Sequence, residues 1–482
     1  MRSMILPGTA GTSGDPALLF GRYLRRIIIV LISASFIPAM AGSLLAMPGE
    51  EEISDKEIVK AIESDLLISR TVSAHLIDVD CKDGIVTLRG SADNLLARDQ
   101  AVRIANTFKG VKSVVNLIEI SPVLMPDEEI LANVRSAIAS DPATELYEVN
   151  AEVRNGVVVL TGTVDSMAEK RLTGLVASSV RGVRDVENNI NIYFATSRPD
   201  GEIEQEIEKC LQYNPYIYSG LIDVQVEDGQ VRLSGTVGSS ADKTRAYSDA
   251  WVSGVRMVDV TDLKVKWWLT DRLKRGREAV ETSDEAVEEA IGLAFVNDPR
   301  VLSFEIDVEV DEGVVTLRGT VDNLKAKRAA QSDAENTVGV SWVDNYIKVR
   351  PRLVPDDSEL KRSVENALLL DPVLGQRDFT ILARNGKVYL YGYVDSFYEK
   401  FHASDVVSRV WGVVEIQNNV AIHYPGIYVT DDRIEREIRK KLMWSFVIDA
   451  GDIDVTVEEG VATLNGEVSD WREYKAIIRQ GL

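Results

Sequence analysis

The sequence predicts an α+β protein: a tandem array of six small α-β-β-α-β domains, each a three-stranded sheet with two helices on one face, arranged as a duplicated block of three. Three observations carry that prediction. The stretch Asp83-Gly84-Ile85-Val86-Thr87-Leu88-Arg89-Gly90 returns five more times, with paired glycines at Gly156 and Gly162, Gly229 and Gly235, Gly313 and Gly319, Gly386 and Gly392, and Gly460 and Gly466. Between each pair stand a leucine (Leu88, Leu160, Leu233, Leu317, Leu390, Leu464) and, two positions earlier, Val86, Val158, Val231, Val315, Val388 or Ala462, the period of a half-buried strand. The second glycines are 72, 73, 84, 73 and 74 residues apart, too long for a solenoid layer and long enough for a small domain with its own core.

The elements of the first repeat, residues 52–121, follow in order. Ser54 and Glu57 have capping-box spacing ahead of Ile58, Ile62 and Leu66, which predicts an amphipathic helix. A strand from Leu76 to Cys81 reaches Asp83-Gly84, a tight-turn pair because glycine takes positive φ without steric cost, and a second strand runs to Gly90. Ala97, Ala101, Ile104, Ala105 and Phe108 form one helical stripe, Gly110 ends it, and Val114 to Ile120 reads as the last strand. The other repeats are expected at 126–195, 199–268, 282–350, 355–424 and 430–482, with a linker at 269–281. Acids at the helix starts, such as Asp127-Glu128-Glu129, suit the helix macrodipole.

A longer period is superimposed on the short one. Asp93-Asn94-Leu95 is answered by Asp322-Asn323-Leu324, and Asp165-Ser166 with Glu169-Lys170 by Asp395-Ser396 with Glu399-Lys400, hence the duplicated block. In the sixth repeat Trp471-Arg472-Glu473-Tyr474 begins a second helix and no Gly-Val follows, so that repeat is expected to be incomplete at its C-terminal side.

Ahead of the repeats, Arg22, Arg25 and Arg26 precede the apolar run from Ile27, and Ala39-Met40-Ala41 offers a small-x-small cleavage site; residues 1–41 are expected to be an export signal. The alternative is a membrane anchor at 27–47, since roughly 20 apolar residues span a bilayer. Both place the repeats in the periplasm or cell envelope, the second on the inner membrane. A net charge of −22 argues against nucleic acid as the partner, because phosphate affinity rests on clustered Lys and Arg.

The repeats resemble the BON domain family. The resemblance rests on Asp/Asn-Gly-x-Val-x-Leu-x-Gly-x-Val (Asn155 to Val164), the Ala-rich second helix, and the Gly-Val-x-x-Val-x-Asn ending (Gly182 to Asn188, Gly412 to Asn418); the third repeat departs from it with Val260 in place of the asparagine. It implies a non-enzymatic envelope module associated with phospholipid or membrane-surface binding, osmotic stress and envelope maintenance. A protein-interaction scaffold or periplasmic chaperone for envelope proteins is the alternative.

Catalytic and metal chemistry find little support. Asp78-x-Asp80-x-x-Asp83-Gly84 has its third acid and glycine one position too late for a calcium loop, and Arg89 stands where the loop needs glutamate. His75, His402 and His423 fall in unrelated places, Cys81 and Cys210 read as core-type cysteines, and no cofactor or metal is expected. One segment does invite a functional reading: Lys264, Lys266, Trp267, Trp268, Arg272, Lys274, Arg275 and Arg277, with only Asp271 against them, carry a net +5 inside an acidic chain. Tryptophan beside basic side chains suits a lipid headgroup layer, and this is the expected lipid-binding site; the alternative is a linker helix packed on a neighbouring repeat.

Overall fold

The computed structural model describes residues 53–68, 76–144, 147–193, 198–268, 282–302, 304–352, 354–423, 430–445, 453–458 and 460–466, with scattered positions between 448 and 477. The export signal or anchor, the linker at 269–281, and with it Arg272, Lys274, Arg275 and Arg277, lie outside the described residues. Residues 46–425 form one compact body, and residues 426–482 belong to a second.

The second repeat shows how the recurring sequence builds its fold. Helix Asp127–Ser140 is followed by strands Glu148–Arg154 and Val157–Val164, helix Met167–Ser178 and strand Asp185–Ile192. The middle strand is central, antiparallel to the first and parallel to the third. Val158 and Leu160 are fully buried beneath the helices, and Ile130, Val134 and Ile138 fill the facing stripe. The repeat leucines Leu88, Leu233, Leu317 and Leu390 are equally inaccessible, and Leu464 nearly so.

The paired glycines have different tasks. The first completes a two-residue turn whose leading residue is itself left-handed: Asp83, Asn155, Asp228, Glu312 and Asn385 have φ between 48° and 54°. Two successive positive φ values define the turn whose twist matches that of a hairpin. The second glycine permits close backbone approach, since a Cβ on Gly162 would stand 2.2 Å from the Glu148 carbonyl oxygen and one on Gly90 1.9 Å from that of Leu76.

Each first helix also fastens this turn. The carboxylate of Asp127, the first helical residue, accepts from the Asn155 and Gly156 amides at 2.7 and 2.9 Å. Asp55, Asp200 and Asp284 bind the corresponding two amides, and Asp357 and Asp431 hold Asn385 and Gly460. The acids read as macrodipole partners are therefore also clamps between helix and hairpin.

The asparagine of the Gly-Val ending ties the third strand to the second helix. Asn188, Asn345 and Asn418 donate to the carbonyls of Lys170, Lys327 and Lys400 and accept an amide two residues onward. Where Val260 stands instead, the third strand is split into Met257–Asp259 and Leu263–Val265, and Lys243 Nζ reaches the Leu263 carbonyl at 2.9 Å. The fourth and fifth repeats split their third strands too, while retaining the asparagine stitch.

In the second body, helix Asp431–Trp444 packs on the hairpin of Ile453–Glu458 and Val461–Gly466. Ile438, Leu442, Val455, Leu464 and Ile477 form its core, and its sheet has two strands among the described residues.

Candidate functional site

Of the eight predicted lipid-binding residues, Lys264, Lys266, Trp267 and Trp268 are described. Lys264 is exposed on the short strand Leu263–Val265, which pairs in parallel with the end of the central strand. The Lys266 amide donates to the Val237 carbonyl at 2.8 Å, extending that pairing by one residue and leaving its side chain exposed. The two indoles then meet edge to face with centroids 6.5 Å apart; Trp267 is half-buried and Trp268 is 36% exposed. Lys243, bonded to the Leu263 carbonyl of the same strand, has its pKa lowered first by burial and then by the charge of Lys264. The third sheet thus ends in an outward group of ammonium and indole side chains.

A second feature arises only from packing between repeats: those of the body at 46–425 are joined largely through their helices. Helix Asp200–Tyr213 packs on Asp284–Asn297, with Lys209 to Glu289 at 2.6 Å, and Arg328 donates to the Ser404 carbonyl at 2.8 Å between repeats four and five. Each first helix of repeats two to five ends on an Asx-Pro pair, at Asp141, Asn214, Asp298 and Asp371, whose side chain accepts the amide two residues on. Those ends form the joints. Asp141 pairs with Lys325 of the fourth repeat at 2.6 Å, deep in the body, where burial lowers the lysine pKa despite its partner. The amides of Arg181 and Val338, both just before the glycine ending a second helix, donate to the last helical carbonyls of other repeats, Leu370 and Tyr213.

The isolated histidine reading also changes. His402 Nε2 lies 2.8 Å from Asp371 Oδ2, and its ring stacks on Tyr398 at 5.4 Å, so it belongs to this buried polar junction. The recurrence of Asx-Pro after each amphipathic stripe was the available signal; which partner each would meet depends on packing between repeats. Cys81 donates to Asp55 and Cys210 packs against the third core; burial pushes both thiols up to about 12, leaving them protonated and inert at neutral pH. Among the described residues no group of His, Cys, Asp and Glu is arranged to hold a metal ion.

Repeated helix-backed sheet units, those of residues 46–425 joined largely by helix ends and the third carrying a basic-aromatic edge, define a tandem array of small α+β modules. The chain belongs to the BON domain family, whose profile matches residues 54–122, 126–192, 199–266, 283–351, 356–423 and 430–480. It is similar to Osmotically-inducible protein Y of Escherichia coli (strain K12), 32% identical over 149 residues that make up 30% of this chain and 74% of that protein. It is also similar to Outer membrane lipoprotein DolP of Haemophilus influenzae, 26% identical over 141 residues, 28% of this chain and 72% of that one. Among solved structures, the C-terminal domain of CdsD, the structural protein of the type III secretion system of Chlamydia trachomatis, aligns with 47% of this chain and all of its own at 18% identity. Its TM-score of 0.13 is too low to carry an inference.

Proposed function

We propose that the chain is a non-enzymatic cell-envelope protein, exported to the periplasm by residues 1–41, that contacts phospholipid or the membrane surface and supports envelope integrity under stress. The family supplies the setting, since one relative is named as osmotically inducible and another as an outer membrane lipoprotein. The observation that carries the reading is the outward display of Lys264, Lys266 and Trp268 at the end of the third sheet, continuous in sequence with Arg272, Lys274, Arg275 and Arg277. Each Lys or Arg near an anionic surface contributes about 1 kcal/mol. Screening confines the influence of the chain's many distant acids to roughly 8–10 Å. Six local cations with two indoles therefore outweigh the general repulsion. No described helix is long and apolar enough to cross a membrane.

Sedimentation with vesicles containing anionic phospholipid tests this. Binding is expected to fall with salt, to weaken in Trp267→Ala/Trp268→Ala and to weaken further in Arg272→Glu/Lys274→Glu/Arg275→Glu. Unchanged binding in both folded variants refutes it. A second reading, a protein-interaction scaffold, is favoured by the outer face of the fifth sheet, where Leu382, Tyr391 and Tyr393 are 54%, 39% and 70% exposed. Stable co-purification of envelope proteins, lost when Tyr391 and Tyr393 become Ser, would select it.

A further inference from the structure

A cleft of about 460 Å³ opens where the helices of the second, third and fourth repeats meet. One wall is the Met167–Ser178 helix, presenting Arg171, Leu172 and Leu175; the fourth repeat contributes Leu293 and Asp333, and the third contributes Trp251. Two lining residues carry buried polar atoms without a hydrogen-bond partner: the indole Nε1 of Trp251 and the Oδ2 of Asp333. Arg171 is exposed and makes no hydrogen bond or ion pair among the described residues, its charge acting on Asp249 through space. Leu175, 55% exposed, continues an apolar wall out to solvent.

We propose that this cleft binds a single-chain anionic amphiphile, its carboxylate or phosphate head held by Arg171 and the Trp251 indole N–H, and its chain lying along Leu172, Leu175 and Leu293. A buried donor without a partner is a standing cost that a ligand oxygen removes, and an unpaired guanidinium offers a fork matched to a two-oxygen anion. The cavity volume lies within the usual range for small-molecule sites, and at the ~30 Å³ of a water-sized group it takes about fifteen heavy atoms, one chain of roughly ten to twelve carbons with its head.

Two acids of the cleft are engaged by polar neighbours. Asp298 is gripped by Arg300, whose Nε lies 2.9 and 3.0 Å from its two oxygens, and Asp249 accepts from Asn214 Nδ2 at 2.5 Å. Burial, and then the charge of Asp298, hold Asp333 well above the usual carboxylate range, and its Oδ1 lies 4.0 Å from the same Arg300 guanidinium. Cys210 also lines the cleft as a neutral thiol. This site is separate from the basic edge at Lys264 and does not rest on the membrane reading.

Calorimetric titration of the purified full chain tests the assignment, with dodecanoate and dodecyl phosphate below their micelle concentrations as probes. Both are expected to saturate one site, with acetate and inorganic phosphate failing to bind and dodecanol binding at least about tenfold more weakly, the equivalent of one charged hydrogen bond. Arg171→Gln should weaken dodecanoate by about tenfold with unchanged unfolding, as expected for a hydrogen bond to a charged group; Trp251→Phe should weaken it by a similar factor, measured at a temperature where the variant is fully folded since its ring also packs on the third core, and both should leave vesicle binding unaltered. Absence of saturable binding overturns the proposal, as does dodecanol binding as tightly as dodecanoate, or wild-type affinity in both variants. Tight binding of the short anions makes this an anion site alone and overturns the amphiphile.

Discussion

The clamp between first helix and hairpin makes the sharpest stability prediction, and Asp55 is the place to test it. Its carboxylate accepts from the Asp83 and Gly84 amides, each at 2.9 Å, and from the Cys81 thiol at 3.2 Å. These bonds, led by that of Gly84, hold its pKa below the ordinary 3.8. In Asp55→Ala both amides lose a charged acceptor; each such bond contributes about 1.5 kcal/mol at the lower end, reduced where water reaches the freed amide, and the helix start loses a favourable acid worth roughly 0.5 kcal/mol. The total is about 2–3 kcal/mol, or roughly a thirtyfold to hundredfold rise in local opening. Hydrogen exchange of the Ile77–Lys82 and Ile85–Ala92 hairpin in the full chain reads this directly. Asp55→Asn, retaining a neutral acceptor, should lose about half as much. Because the folded pKa is depressed, the clamp's stability is fully present above about 4, the ordinary aspartate range, and is lost as pH falls through the folded value. Wild-type protection in the alanine variant, or opening that does not rise on acidification, refutes the reasoning.

Three other outcomes follow from the same structure. Gly162→Ala places a Cβ 2.2 Å from the Glu148 carbonyl oxygen at φ 133°, and should cost more than about 2 kcal/mol and abolish exchange protection in the second hairpin. Leu160→Ala, emptying a fully buried site, should destabilise by about 2–5 kcal/mol, with increased exchange centred on the second repeat. Lys325→Met leaves Asp141 buried and unpaired, an expected loss of about 3–5 kcal/mol felt in both the second and fourth repeats, and adding Asp141→Asn should recover most of it in a double-mutant cycle.

How much of this was legible follows from the range of the interactions. The hairpin turn, the buried leucine and the Ser54 cap are set within a few residues, so periodicity and turn chemistry expose them; Asn94, Ser166, Ser239, Asn323 and Ser396 cap the second helices in the same local way, each accepting the amide three residues on. The Asp127 clamp spans 28 residues, yet an aspartate recurs at the start of every first helix, which makes it readable in principle; the macrodipole accounts for only part of what those acids do. The Asp141 to Lys325 pair spans 184 residues and joins two repeats, so nothing local predicts it. For the same reason the cleft was invisible, since its walls come from three repeats and no single copy contains it.

The joints between repeats also limit where binding to a large surface can occur. Within residues 46–425 many of the contacts between repeats are made by helices and their ends, as in Lys209 to Glu289, Arg328 to Ser404 and Arg181 to Leu370. The outer sheet faces stay accessible: Val115 and Leu117 are 41% and 51% exposed on the first, Leu382 and Tyr393 on the fifth. Those faces belong to a chain of net charge −22. The local sign reverses at 264–277, which the sequence places between the two three-repeat blocks. If that segment is the attachment, the protein meets the membrane at one point of the chain and leaves the acidic, partly apolar sheet faces turned to other envelope components. Lipid and protein binding then occupy different surfaces. A chain bearing Arg272→Glu, Lys274→Glu and Arg275→Glu should lose vesicles while retaining any protein partner, whereas simultaneous loss of both would mean that one surface serves them together.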